Sequence, residues 1–529
     1  MEVAPTPWLT RCDRAAHVLA GAMVLLVTIV HGDFGLSWDE SIELDGVMGG
    51  YTTWRFWAEG LDPELALYNE GHSPLIRLVY HAVIRALRAV TGEVDRVAVF
   101  HLLTALIGVA GFLGVYRLAK RVLSPPWALG AALLAVLSPR YVGNAFTNFK
   151  DLPFAVAWVF VLDASVAYAL APVRRTGLAL GLALGALLAL RLGGLIIAPV
   201  LLATLATVAW RDGQWGVRLR GLVLSGALAL VVVYVSYPYL LVQPIAGLVR
   251  LLGANAEFPW TGSTLTLGVE MPASDLPRVY LPAWLAVTTP LLVLGTLSFG
   301  LPLAWRLLRS PSQAPASVAI VLGALFPLAF VIASRTPLYD GVRHVLFVLP
   351  PLCIVAVMGL SWLANRLSGR VRVLPLTALA LTLGSLVLDD IRLHPYQSVW
   401  FNTLTGGLAG ASGRFTLDYW ALSIRESALV TADNATAPAT ACIVGAPENV
   451  LAVYLPGWGV EHAASPTRCP PTSHYIVIVN QGRVLESARG AIADRPGDYR
   501  LVHEVRRDGA VLGAVFEYRH PSSTPSMLR

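Results

Sequence analysis

Residues 15–41, AAHVLAGAMVLLVTIVHGDFGLSWDES, decide how the chain is read. From 15 to 36 the only charged side chain is Asp33, and the run is long enough to cross ~30 Å of hydrocarbon as a helix. No small-residue cleavage site follows the apolar run, and Trp38-Asp39-Glu40-Ser41 comes directly after it. That pattern predicts a retained first membrane helix with two carboxylates at its exit, not a removed signal peptide.

The rest of the chain agrees with a lipid solvent. Of 529 residues, 56% are hydrophobic and 14% charged. Counted with Gly and without Tyr, roughly three in five are apolar, against about 45–50% in soluble domains. Mean hydropathy is +0.63. A water-soluble surface cannot be made from this composition, so disorder, a nucleic-acid-binding domain and a disulfide-rich mini-protein are excluded together. The net charge of +6 comes from 37 Arg and only two Lys, Lys120 and Lys150, against 33 acids.

Eleven candidate spans emerge: 15–36, 97–116, 122–138, 152–171, 176–192, 193–210, 221–241, 283–305, 317–334, 344–363 and 372–389. Basic residues gather in alternate loops, at Arg11/Arg14, Arg117/Lys120/Arg121, Arg174/Arg175, Arg211/Arg218/Arg220, Arg306/Arg309 and Arg366/Arg370/Arg372. By the positive-inside rule these loops and the N-terminus are cytoplasmic. The expected protein is an all-α polytopic bundle, multi-pass in the cell (plasma or inner) membrane. Its transmembrane module covers 1–390, with external loops 37–96, 139–151, 242–282 and 335–343. An extracytoplasmic soluble α/β domain is expected over 391–529, with strands at Ala441–Val444, His474–Val479 and Val511–Tyr518 between Pro, Gly and Asn turn signals. Cys442 and Cys469 fall in that domain, where a disulfide is permitted; two unrelated thiols are the equal alternative.

Polar residues at span ends mark candidate chemistry. Besides Asp39 and Glu40, the loop 138–153 holds Arg140, Lys150 and Asp151, and the 334–344 connection holds Tyr339, Asp340, Arg343 and His344. Arg191 stands at a span end beside Gly193 and Gly194, which permit close helix approach. Interfacial anchoring and snorkelling are the ordinary alternatives for these groups. Taken as a site, carboxylates supply a general base or a substrate or metal ligand, and Arg and Lys hold a lipid-linked phosphate.

The ordered motifs resemble those of the type-C polytopic glycosyltransferases of family 39, which include the protein O-mannosyltransferases and the lipid A aminoarabinose transferases. They are Asp39-Glu40, Ser138-Pro139-Arg140 with Lys150-Asp151-Leu152-Pro153, and Tyr339-Asp340-Gly341 with Arg343-His344 and Pro350-Pro351. His394-Pro395-Tyr396-Gln397 with Phe401-Asn402, Gly406-Gly407 and Asp418-Tyr419-Trp420 resembles uncharacterised bacterial members. The resemblance covers roughly residues 1–420 and implies inverting transfer of a hexosyl or pentosyl group from a polyprenyl-phosphate donor to an acceptor hydroxyl on the extracytoplasmic face.

Asp39 then matches the family's catalytic base, and Glu40 helps orient acceptor or sugar. Asp151 is implied as a substrate ligand. Arg140, Lys150, Arg191 and Arg343 become candidates for the phosphate, with His344 and Tyr339 beside it. No cofactor is expected to be obligatory; a divalent metal is possible, with Asp39 and Asp151 as its candidate ligands. Loop 242–282 is too short for the inserted domain of the O-mannosyltransferases, and the tail arrangement is closer to the aminoarabinose transferases. A glycan, glycolipid or other lipid acceptor is therefore expected ahead of a protein, with no nucleic-acid partner. A lipid-linked sugar transporter or flippase is the alternative function, disfavoured because neither inverted halves nor broken midplane helices are visible.

Overall fold

The computed structural model describes residues 7–44, 60, 73–256, 262–435, 439–494 and 498–519. Among these, eight helical stretches are long and apolar enough to span a membrane: Arg11–Asp33, Arg96–Ala119, Asp151–Leu170, Leu192–Asp212, Trp215–Ser236, Ala314–Ser334, Arg343–Arg366 and Gly369–Leu393. A ninth is broken, Tyr280–Thr288 and Leu291–Leu307 meeting at 110° around Pro290, a broken helix where the sequence reading expects none. The chain is a polytopic membrane bundle, as the composition requires.

Two expected spans fall short. The run 122–138 yields a helix only over Pro125–Val136, 12 residues or ~18 Å long. Pro125 and Pro126 set its start, and Pro139 biases Ser138 away from helix, so proline confines an apolar stretch that hydropathy alone extends. The run 176–192 forms Arg174–Leu190, 17 residues or ~26 Å, and ends where Arg191 adopts an extended backbone.

The Asp151–Leu170 helix lies at the centre, packed against Arg96–Ala119, Arg174–Leu190, Ala198–Asp212 and Ala314–Ser334. Its sequence is apolar all round, as a helix without a lipid-facing stripe must be. Its Trp158 is fully buried and donates an indole N–H to the Gly323 carbonyl at 3.2 Å. Asp163, near its far end, is buried between Arg117 at 2.6 Å and Arg121 at 2.5 Å. The two ends of this one helix therefore carry two separate charge clusters.

Towards the C-terminus a five-stranded sheet forms in the order β4-β3-β5-β7-β6. Its strands are β3 (Thr440–Val444), β4 (Gly459–Ala463), β5 (Tyr475–Val479), β6 (Tyr499–Arg507) and β7 (Ala510–Tyr518). β3 pairs in parallel with β4 and β5, and β7 runs antiparallel to β5 and β6. β5 is buried along its whole length, as the unbroken apolar run Tyr475-Ile476-Val477-Ile478-Val479 predicts. A separate hairpin, β1 (Ser263–Thr266) with β2 (Val269–Pro272), lies within the 242–282 connection. Cys442 and Cys469 form a disulfide.

Candidate active site

Ser37-Trp38-Asp39-Glu40 starts the short helix Trp38–Leu44 with a capping box. The Ser37 N–H and hydroxyl donate to Glu40 Oε2 at 2.9 and 2.8 Å, and the Glu40 N–H returns to Ser37 Oγ at 3.4 Å. Glu40 is fully buried, and its Oε2 also faces His101 Nε2 at 3.2 Å. The adjacent acids thus diverge. Glu40 turns back onto its own helix start, and Asp39 faces the basic residues.

Asp39 Oδ2 lies 3.4 Å from Arg343 Nη1 and 3.5 Å from Lys150 Nζ. Arg343 is the hub of the site. Its guanidinium also approaches Asp340 at 3.7 Å and Asp151 at 4.0 Å, and sits over the rings of Tyr339 and Trp420 at 4.8 and 4.6 Å. The 340–341 turn that delivers it is strained, with Asp340 at φ 56° and Gly341 at φ 73°.

Asp151 is held more tightly by Arg191, at 2.5 Å. Asn148 aims it: its side-chain amide donates to Asp151 Oδ2 at 3.0 Å, and its carbonyl accepts the Asp151 N–H at 2.8 Å. The helix Pro139–Thr147 that precedes this turn packs closely on 397–398, since a Cβ at Gly143 would strike the Ser398 backbone. Of the glycines beside Arg191, Gly194 lies against Leu187, whereas a Cβ on Gly193 would meet open space.

Burial and charge tune the groups outside the spans. Burial pushes Asp340 up to about 7; Arg343 opposes that shift, and Asp39 and Asp151 add to it. Burial lowers Lys150, helped by Arg77 and Arg343 and resisted by Asp39 and Glu43. Burial works to raise Glu43, but Arg77 and His81 outweigh it and hold the carboxylate below its ordinary range. Lys150 therefore stands between two acids, Asp39 and Glu43.

The structure brings together Asp39, Lys150, Asp151, Arg191, Tyr339 and Arg343. His344 joins their edge, its Nε2 3.4 Å from Arg343 Nε and its ring 4.4 Å from that of Tyr339. Arg140 is set apart. Its Nε–H donates to the Trp400 carbonyl at 2.8 Å, and its guanidinium lies over Phe401 at 4.8 Å, beside Tyr419. Much of the expected loop 37–96 lies outside the described residues.

Sequence reading missed Glu43, Arg77, His81 and Asn148, and named Trp420 only within the Asp418-Tyr419-Trp420 motif. Arg77 and Glu43 pair at 3.0 Å, and His81 lies 3.5 Å from the same carboxylate, all buried. Arg77 and His81 are one turn apart on the face of Pro74–Thr91 that also carries Ile76, Tyr80 and Ile84. An arginine and a histidine inside an otherwise apolar helix face are a readable signal. Among the described residues no three His, Cys, Asp or Glu side chains are grouped to hold a metal ion. The near partners of Asp39 and Asp151 in this arrangement are cations.

The fold matches that of ArnT from Cupriavidus metallidurans. The apo structure aligns at a TM-score of 0.50 and 16% identity, covering 95% of this chain and 98% of that one. The structure bound to undecaprenyl phosphate aligns at 0.50 and 17% identity, covering 97% and 98%. AglB, an oligosaccharyltransferase from Archaeoglobus fulgidus in complex with an inhibitory peptide and a dolichol-phosphate, aligns at 0.47 and 12% identity, over 96% of this chain and 75% of that one. No protein-family model matches the chain, and no curated protein matches it. The first two alignments run nearly end to end on both chains, so this chain shares the fold of those ArnT structures.

Proposed function

We propose that this multi-pass membrane protein transfers a sugar from a polyprenyl-phosphate donor to an acceptor hydroxyl, with inversion, on the extracytoplasmic face of the cell membrane. The observation that carries the reading is Asp39, placed between Lys150 and Arg343. A general base and two phosphate-binding cations then share one point, as displacement at an anomeric carbon requires. ArnT, whose fold this chain shares, is solved bound to undecaprenyl phosphate, and that supports the reading. The Cys442–Cys469 disulfide supports the placement of the C-terminal domain in an oxidising compartment.

The donor phosphate is taken by Arg343 and Lys150, whose present contacts to carboxylates, at 3.4–4.0 Å, are loose enough to be exchanged. Arg191 remains on Asp151 at 2.5 Å and holds the rim of the site. A carboxylate paired with two cations is a weak base. Diverting Lys150 and Arg343 onto the phosphate frees Asp39 to accept the acceptor's hydroxyl proton. The acceptor oxygen then bonds to the anomeric carbon as the bond to the phosphate oxygen breaks, and polyprenyl phosphate leaves with its charge neutralised by the same two cations. Glu40 contributes by fixing the start of the helix. Tyr339 and His344 support Arg343, and Arg140 braces the loop beneath it. The acceptor is a glycan, glycolipid or lipid in preference to a protein.

The test is transfer from a panel of undecaprenyl-phosphate-linked hexoses and pentoses to membrane lipid and glycan acceptors, by wild type and Asp39→Asn. New glycoside formed by wild type alone supports the reading. Donor moved across the bilayer without a new glycosidic bond identifies a transporter or flippase instead.

A further inference from the structure

The segment that carries Asp39 is tied down by C-terminal residues at five positions, 33, 35, 36, 38 and 41. Arg425 Nη1 donates to the Asp33 carbonyl at 3.1 Å, and His394 Nε2 lies 2.9 Å from the Asp33 carboxylate. Gly35 rests against Leu422, whose carbonyl oxygen would stand 2.6 Å from an added Cβ. The Leu36 N–H donates to the Tyr454 hydroxyl oxygen at 2.6 Å. The Trp38 N–H donates to the Trp420 carbonyl at 3.1 Å, and Trp38 packs on the apolar cluster that includes Ala421, Val450 and Leu451. The Ser41 hydroxyl meets Asn449 Oδ1 at 3.4 Å.

Two of these contacts, from Tyr454 and Asn449, come from the carboxyl end of β3. In open α/β sheets, ligands sit outside the carboxyl ends of the parallel strands. Here the loop after β3 leads into the helix Glu448–Ala452, which packs on the Trp38–Leu44 helix and supplies Asn449, with Tyr454 just beyond. The loop after β5 is also engaged, Arg483 Nη2 donating to the Gly268 carbonyl at 2.7 Å. Segments from elsewhere in the chain thus meet the loops after both β3 and β5.

We infer that the C-terminal domain is a clamp for the Asp39 segment, and that Tyr454 is a positioning residue that sets Asp39 between Lys150 and Arg343. The inference rests on the proposal that Asp39 is the base. Tyr454 touches no reacting atom in this scheme. It acts by accepting the buried Leu36 N–H three residues ahead of Asp39. The domain therefore serves to order the catalytic loop.

Tyr454→Phe removes that acceptor while keeping the ring, Asn449→Ala tests the second tie, and Arg500→Gln in the exposed β6–β7 pair is the control. In the full-length protein, hydrogen exchange over 33–44 is expected to rise about ten-fold in Tyr454→Phe, less in Asn449→Ala, and not in Arg500→Gln. Undecaprenyl phosphate affinity stays at the wild-type value, and with the panel donors kcat falls about ten-fold at unchanged KM. Exchange over 33–44 unchanged in both tie variants overturns the clamp. Faster exchange with kcat intact overturns the positioning role. Transfer that survives Asp39→Asn removes the base assignment instead, a result separate from either.

Discussion

Arg343→Gln is the most informative single perturbation of the phosphate site. The guanidinium faces Asp39, Asp340 and Asp151 at 3.4, 3.7 and 4.0 Å. At an effective dielectric constant near 20, each contact is worth about 4–5 kcal/mol before the desolvation that offsets most of it. A lipid phosphate must compete for the same N–H groups, so its net gain is the difference between two charge-assisted sets. Such bonds contribute about 1.5–3 kcal/mol each, and losing one lowers affinity about 10- to 100-fold. Glutamine also leaves three neighbouring acids with less positive charge, which lowers stability by about 3–5 kcal/mol. Arg343→Lys separates the two effects, because it keeps the charge but loses the planar fork and the stacking on Tyr339 and Trp420. The assay is undecaprenyl phosphate binding to purified protein in micelles at fixed ionic strength, with melting temperatures recorded alongside. Expected affinities fall in the order wild type, Arg343→Lys, Arg343→Gln. Arg343→Gln protein that is folded and binds within two-fold of wild type refutes the phosphate role.

Three further outcomes follow from the geometry. Because burial raises Asp340 to about 7 from about 3.9 when unfolded, its folded-state contribution is complete below about 4 and is lost as pH rises through about 7. The melting temperature of wild type should therefore drop more steeply between pH 5 and 8 than that of Asp340→Asn, and parallel curves would contradict the assignment. Gly35→Ala places a Cβ 2.6 Å from the Leu422 oxygen and should destabilise by about 1–3 kcal/mol, read as a lower melting temperature; no change would mean the contact is not close. Reducing the Cys442–Cys469 bridge, which links positions 27 apart, should lower stability by about 3–4 kcal/mol, and melting that ignores reductant would contradict that.

Much of this was readable from the residues alone, and the gaps have physical causes. Long apolar runs must be membrane helices, and the three expected strands fall within one residue of β3, β5 and β7 at their starts, with the same ends. Proline was underweighted: Pro125, Pro126, Pro139 and Pro290 shorten or break runs that hydropathy joins. Asp39-Glu40 read as a catalytic pair, yet Ser37-x-x-Glu40 is also a capping-box pattern, and the fold uses Glu40 that way. Arg77 and His81 are legible as polar residues on one apolar helix face, but their partner Glu43 is not, because it lies on another helix more than thirty residues away and no local period joins them. The ties from Tyr454 and Asn449 to the Asp39 segment span over 400 residues and leave no sequence signature at all.

The central claim, a base at Asp39 set among phosphate-binding cations, is tested most directly by two measurements on Asp39→Asn. Removing the carboxylate frees Lys150 and Arg343, so undecaprenyl phosphate should bind at least as tightly as to wild type, while sugar transfer from the undecaprenyl-phosphate donors is lost. Transfer retained at the wild-type rate, or loss of lipid-phosphate binding in step with loss of transfer, would contradict the account.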